Sequence, residues 1–289
     1  MTTTRSALTP RSSVLANAFM IAFLMYFLIP LGWLVISATK TNGELFGSFG
    51  FWFSGKFNLW ANLRGVFTYS DGVFWHWMGN SAWYSLASAL GAAVFATAAG
   101  YGFAKYDFAG KSAMFGIILG AIAVPTTALA IPTYLLFSKI GVVDTPWAVI
   151  LPSLVNPLGI YLMRAYVADS IPDTIVEAGR MDGASEVSIF VRLALPMTVP
   201  GFITVFLFSL VSTWNNYFLP LVMLNNPKLY PVTVGLAQVN ATANNAGGGS
   251  QGLFTVVITG ALVSIIPLVI AFLLLQRFWQ SGLSSGAVK

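Results

Sequence analysis

Apolar and polar positions in this chain fall into long blocks rather than alternating, and the apolar blocks are of membrane-spanning length. Six stretches, near residues 14–38, 77–103, 112–137, 146–168, 198–224 and 252–278, each reach the roughly 20 residues that a helix needs to cross a hydrocarbon core. Inside such a core each backbone N–H and C=O must be bonded within its own segment, so the stretches predict helices. The expected fold class is all-α, a polytopic membrane protein with six transmembrane helices. Pro125, Pro132, Pro152, Pro157 and Pro220 are expected to kink or break their spans.

Arg5 and Arg11 precede the first apolar run as they would in a secretory leader. That run is longer than a leader's apolar region and the chain after it is again apolar, so it is read as a retained helix. No repeat of fixed period appears. The expected organisation is an N-terminal tail over 1–13, one transmembrane domain over 14–280 and a C-terminal tail over 281–289.

The blocks between the spans differ in character. Residues 39–76 hold Phe49, Phe51, Trp52, Phe53, Phe57 and Trp60, a strip suited to the bilayer interface or to a neighbouring chain. Residues 240–251, from Asn240 to Gln251, have the composition of a flexible linker. The loop between the fourth and fifth spans instead carries helix signals. Ser170 and Asp173 fit a capping box, Pro172 suits a first helical turn, and Asp173 and Glu177 place negative charge at the positive end of a helix dipole. The expected element is a short helix from about 172 to 182, stopped by Gly183, then a second from about Ser185 ending before Pro196. Spacing turns Ile175, Ala178 and Met181 toward the membrane body and Glu177, Arg180 and Asp182 away from it. One reading of Glu177 and Arg180 is a solvated i,i+3 pair worth about 0.2–0.5 kcal/mol. The other is a docking surface, favoured by the small residues Ala178, Gly179, Gly183 and Ala184, which permit close approach.

Composition narrows the chemistry. The chain is 57% hydrophobic and only 8% charged, with mean hydropathy +0.78, against roughly 25% charged residues in soluble domains. Cysteine is absent, which excludes disulfides, thiolate catalysis and Cys-ligated metal. The single His76, between Trp75 and Trp77, has no second histidine with which to share a metal and is placed in an interfacial aromatic belt. With the N-terminus inside, nine basic residues (Arg5, Arg11, Lys105, Lys111, Arg164, Arg180, Arg192, Arg277 and Lys289) lie on the cytoplasmic side and five (Lys40, Lys56, Arg64, Lys139 and Lys228) outside. That asymmetry predicts both termini in the cytoplasm, and it accounts for the net charge of +5 through topology and membrane lipid rather than nucleic acid.

The 170–196 segment also carries a resemblance. Glu177-Ala178-Gly179, Gly183 and Leu193-Ala194-Leu195-Pro196 are spaced as in the EAA loop of bacterial ABC importer permeases, with Gly179 in place of the second alanine and Leu193 in place of isoleucine. Gly179 is expected to loosen the first helix by up to about 1 kcal/mol relative to alanine. Tyr101–Lys105 with Phe108–Lys111, Ile131–Tyr134, Leu151-Pro152, Ser170–Asp173, Trp214–Asn216 and Pro231–Leu236 resemble the carbohydrate-uptake branch, in particular the six-span subunit of the maltose-type membrane pair. Gln276–Phe278, Gly282-Leu283 and Gly286–Lys289 are similar to that subunit's tail.

The resemblance implies a type I ABC importer permease fold in a bacterial inner membrane, moving a sugar, a di- or oligosaccharide, into the cell. It implies coupling to an ATPase through Glu177, Ala178, Gly179, Asp182, Gly183 and Ala184, and tail contacts to the ATPase from Gly286, Val288 and Lys289. The implied partners are a second permease subunit, an ATPase dimer and an extracytoplasmic solute-binding protein. No cofactor is expected in this chain, because it lacks a Gly-x-x-x-x-Gly-Lys-Ser/Thr loop; ATP and Mg are left to the ATPase, and the subunit itself is non-catalytic. Trp214, Asn215, Asn216 and Asn156 are candidate translocation-path residues, since indoles stack on sugar rings and amides bond hydroxyls. Helix–helix bonding between permease subunits is the other reading of the same residues.

The alternative solute is a non-sugar such as glycerol phosphate. An ion-coupled carrier would place an ionisable residue at midmembrane, whereas Asp107, Asp144, Asp169 and Asp173 lie in loops. An intramembrane hydrolase would need a dyad or metal ligands that the spans lack.

Overall fold

The computed structural model describes residues 10–245 and 252–284, and among them there is helix but no strand. The described residues up to Tyr69 together with Val239–Val263 form one compact unit. Those from Ser70 to Gln238, together with those from Ser264 onward, form a second.

The first unit opens with α1 (Pro10–Ala38), whose apolar window lies wholly on the surface, as befits a helix with lipid for solvent. A short helix α2 (Asn42–Gly47) follows, started by a capping box in which Thr41 and Glu44 bond each other's backbone N–H. The Glu44 carboxyl is held below its ordinary value, first by the Thr41 hydroxyl. Lys40 is fully buried here and donates to Ser48 Oγ at 2.9 Å and to the Phe49 carbonyl at 2.7 Å. Asn62, on α3 (Leu59–Thr68), donates to the carbonyls of Ala38 and Lys40, both at 2.8 Å. The aromatic strip is exposed, Phe49, Trp52 and Trp60 most of all.

The second unit is built on α4 (Val73–Lys105). One face of α4 is a run of small buried residues, Ala89, Ala92, Ala93, Ala96 and Gly100, which lets two further helices come close. These are α8 (Pro157–Ser170) and α12 (Val199–Trp214). Near its start, α4 turns Trp77, Asn80, Ser81 and Tyr84 to one side, at helical spacing. Trp77 Nε1, Asn80 Nδ2 and Tyr84 Oη donate to the carbonyls of Pro227, Lys228 and Leu229 at 2.9, 2.7 and 2.9 Å, and Ser81 Oγ accepts from Val232 N–H at 2.8 Å. Trp77 is therefore buried in a clasp, while His76 beside it is exposed.

The remaining helices of the second unit are α5 (Lys111–Ile122), α6 (Thr126–Lys139), α7 (Trp147–Ser153), α9 (Asp173–Met181), α10 (Glu186–Ile189), α11 (Leu195–Met197) and α13 (Phe218–Met223). Two further helices, α14 (Val232–Asn245) and α15 (Gly252–Ser284), complete the described chain. Four stretches are long and apolar enough to cross a membrane: Val14–Ala38, Leu59–Lys105, Trp147–Ser170 and Gly252–Gln276. Two bent pairs bring the number to six if each is one span. The fold is all-α and polytopic, as expected.

The third stretch bends at Pro125, as its proline predicts: α5 and α6 meet at 104°, with Pro125 between them as the extended residue that starts α6. Two other expectations are corrected in detail. The expected span over 198–224 breaks after Trp214. Asn215 Nδ2 turns back to the Val211 carbonyl at 2.9 Å, and Asn216 Oδ1 accepts from Leu219 N–H at 3.3 Å, so the amides compete with the helix ladder. Pro220 has no N–H for the Asn216 carbonyl, which is taken instead by Thr233 Oγ1 at 2.8 Å. The linker composition of 240–251 also misleads, since 240–245 is helix, with Val239 and Ala243 buried four residues apart. Residues 246–251 lie outside the described residues.

Candidate functional site

The polar elbow between α8 and α12 is built from its turns upward. Ser170 closes α8 instead of capping the next helix, and the Ile171 N–H still bonds the Val167 carbonyl. Pro172 is the extended residue before α9, and the expected capping box is absent because Asp173 is engaged elsewhere. Its Oδ1 accepts from Lys105 Nζ at 2.6 Å, and the same ammonium donates to the Ile171 carbonyl. Lys105, at the last turn of α4, thereby pins the start of the elbow to the bundle. The Asp173 carboxyl is held below its ordinary value, first by this hydrogen bond and then by the ammonium charge.

At the other end of α9 the chain makes a Schellman turn. Asp182 N–H bonds the Ala178 carbonyl, Gly183 N–H that of Arg180 and Ala184 N–H that of Gly179, each at 3.0 Å, with Gly183 at φ +75°. Gly183 is the stop that the spacing predicts. Replacing it with alanine forces a side chain into the left-handed region, at a cost of about 1–2 kcal/mol, and no neighbour obstructs the new Cβ. Amide exchange at Asp182–Ser185 is then expected to quicken by about 5–30-fold; unchanged exchange in the G183A chain would show that the turn does not require glycine.

Ser185 caps α10, accepting from Ser188 N–H at 3.3 Å. The helix then passes through a π-helical turn, Phe190–Ala194, and carries Pro196 inside α11 before a 77° bend leads into α12. The expected stop before Pro196 is therefore moved to Thr198. The wider turn bonds Leu195 N–H to the Phe190 carbonyl, and the proline is admitted where the regular ladder is already shifted.

Arg180 pairs with Glu186 across the turn, Nε to Oε1 at 2.7 Å, and Tyr106 Oη donates to the same carboxylate at 2.7 Å. The carboxyl of Glu186 is held below its ordinary value by Arg180 first and Tyr106 second. The i,i+3 pair of the solvated-loop reading, Glu177 with Arg180, does not form. Glu177 is exposed and has neither an ion pair nor a side-chain hydrogen bond among the described residues.

The buried face is also shifted by one residue from the expectation. Val176 and Gly179 are buried and Ile175 only half so, whereas Ala178 is exposed and Met181 is 84% exposed. A Cβ on Gly179 would lie 3.0 Å from Ile189 Cγ1 and 3.2 Å from Leu193 Cδ1. Gly179 and Ala184 thus serve the internal crossing of the elbow's two helices. Glu177, Ala178, Met181, Asp182 and Gly183 form its outward face, joined by Val187, which is 72% exposed.

The second candidate region lies at the break after α12. Trp214 and Asn215 line a cavity of about 280 Å³ with Tyr217, Val232, Thr233, Leu236, Ser264, Ile265 and Leu268. Asn216 stands beside it with its amide oxygen committed to Leu219 N–H. Asn156 is elsewhere: it caps α8 through Gly159 N–H at 2.8 Å and donates to Ser209 Oγ at 2.9 Å. Both ends of that amide are spent inside the subunit.

Residues 92–282 match the family described as binding-protein-dependent transport system inner membrane component. The chain belongs to that family. The matched range takes in the elbow and the cavity. Among its relatives, the arabinooligosaccharides transport system permease protein AraQ of Halalkalibacterium halodurans is 32% identical over 79% of this chain and 78% of its own length. The melibiose/raffinose/stachyose import permease protein MelC of Bacillus subtilis is 31% identical over 70% and 71%. A solved structure, of a bacterial ABC transporter involved in the import of the acidic polysaccharide alginate, superposes with a TM-score of 0.78 at 24% identity. It covers 93% of this permease and 97% of the compared chain.

Sequence reading missed the parts that hold the elbow. Lys105, Tyr106 and Glu186 act across 66–80 residues of chain, and only the clustering of polar residues at the end of the α4 block signals them. Gly286, Val288 and Lys289 lie outside the described residues.

Proposed function

We propose that this permease is the membrane subunit of an ATP-driven importer for a sugar, a di- or oligosaccharide, with its elbow seated on a separate ATPase. The observation that carries the coupling is the outward face of α9: an unpaired carboxylate, Glu177, beside Ala178 and an exposed Met181, on a helix fixed at both ends. A held helix transmits displacement, and a solvated loop does not need apolar side chains in water. The sugar is supported by the printed functions of the relatives and by an indole, an amide and hydroxyls meeting in the cavity at Trp214. In this reading a second permease subunit completes the pathway, an ATPase dimer binds ATP and Mg, and an external binding protein delivers solute, with both termini of this chain cytoplasmic.

The test is transport. With its ATPase, companion permease and binding protein in proteoliposomes, labelled arabinooligosaccharides or raffinose are expected to accumulate only when ATP and binding protein are both present. Accumulation by this chain alone, without ATP, would place it among carriers.

A further inference from the structure

A second cavity, of about 690 Å³, opens where the end of α4, the start of α5 and the middle of α8 meet. Its aromatic wall is Phe103, Phe108 and Phe115, with ring centroids 5.7 and 5.6 Å from Phe103. Its charged residues are Asp107, Lys111 and Arg164. Lys111 Nζ is spent on the Asp107 carboxylate at 3.0 Å and the Tyr106 carbonyl at 2.8 Å, so that pair cancels at the rim. Arg164 is left over. Its guanidinium lies 4.0 Å from the centroid of the Phe115 ring, and it has no hydrogen bond or ion pair among the described residues.

Five N–H donors on a charge without a counter-ion are costly away from bulk water. Arg164 sits six residues before the end of α8, about 9 Å along the axis at 1.5 Å per residue, and α8 closes the candidate span Trp147–Ser170, so in a spanning helix Arg164 falls at an interfacial depth. An aromatic wall at that depth suits hydrocarbon, and a planar guanidinium suits the paired oxygens of a phosphodiester.

We propose that this cavity binds the headgroup phosphate of an anionic phospholipid, with Arg164 as its counter-ion and the three phenylalanines against the upper acyl chains. The site rests only on the chain's being a membrane protein and does not depend on which solute is moved. A soluble phosphate would make no use of the aromatic wall. A carboxylate from a partner subunit is the competing occupant.

Native mass spectrometry of the full chain with its co-purified subunits, delipidated in mild detergent, tests this with dioleoyl phosphatidylglycerol, dioleoyl phosphatidylcholine and inorganic phosphate as probes. Phosphatidylglycerol is expected to be retained over phosphatidylcholine, with about tenfold weaker retention in Arg164→Gln and an intermediate loss in Arg164→Lys, which keeps the charge but not the planar fork. Millimolar inorganic phosphate is expected not to displace it. Equal retention of the two lipids by the unaltered chain overturns the proposal without any variant having to fold. Displacement by free phosphate assigns the site to a soluble anion and also overturns it, as does full retention in Arg164→Gln, the result if a partner's carboxylate fills the cavity.

Discussion

Glu177→Lys is expected to abolish solute uptake while leaving the chain at normal abundance in the membrane. Lysine and glutamate have similar helix propensities, so α9 should persist. Glu177 is exposed and bonds no other side chain among the described residues, so nothing inside the subunit is broken. The internal penalties are small: a like charge three residues from Arg180, about 0.2–0.5 kcal/mol, and the loss of a negative charge near the positive end of the α9 dipole, at most about 1 kcal/mol. A partner that supplies a basic group opposite Glu177 would meet a repulsion instead. Breaking a buried pair from one side costs roughly 3–5 kcal/mol, a factor of about a hundred or more in docking.

The expected signature is split: a folded, monodisperse permease by gel filtration, weaker retention of the ATPase, ATP hydrolysis that no longer responds to solute, and uptake near background. Uptake by Glu177→Lys at the level of the unaltered chain would remove the elbow from the coupling path. The outward face predicts a graded control as well, since Ala178→Leu adds bulk where a partner would sit but meets no wall within the subunit.

Much of this was legible in the sequence because membrane insertion writes itself in one dimension. A span needs only length and apolarity, and Gly183 needs only its position after a helix and before a polar cap. The elbow's outward residues followed from spacing, with an error of one residue in which face is buried. What stayed hidden depends on groups distant in the chain. The bend at Thr198 and the break after Trp214 turn on where backbone bonds are surrendered and who takes them up. The Thr233 hydroxyl on the Asn216 carbonyl and the Lys105 ammonium on the Ile171 carbonyl are such substitutes, and no periodicity announces them. Trp77 is of the same kind: its N–H is claimed by a carbonyl 150 residues away, which no local pattern announces.

The small-residue face of α4 leads to the sharpest stability test, a pair of glycines two residues apart. At Gly100 a Cβ would lie 2.6 Å from Met163 Cβ, 2.7 Å from the Arg164 backbone nitrogen and 2.8 Å from the Met163 carbonyl carbon. Two of those three atoms are α8 backbone, so no rotamer change relieves the clash and the helices must separate. Overpacking costs about 1–3 kcal/mol even where side chains can yield, so Gly100→Ala is placed at the upper end of that range.

At Gly102 nothing lies within 4 Å of a new Cβ, and alanine gains up to about 1 kcal/mol of helix propensity. Detergent-solubilised Gly100→Ala is therefore expected to melt well below the unaltered chain and to accumulate poorly, with Gly102→Ala equal to or above it. Because the two substitutions are chemically identical and sit on the same helix, propensity alone predicts that both stabilise. Equal melting of the two variants would mean that α4 and α8 do not approach at Gly100, and the close helix pair from which the elbow hangs would have to be abandoned.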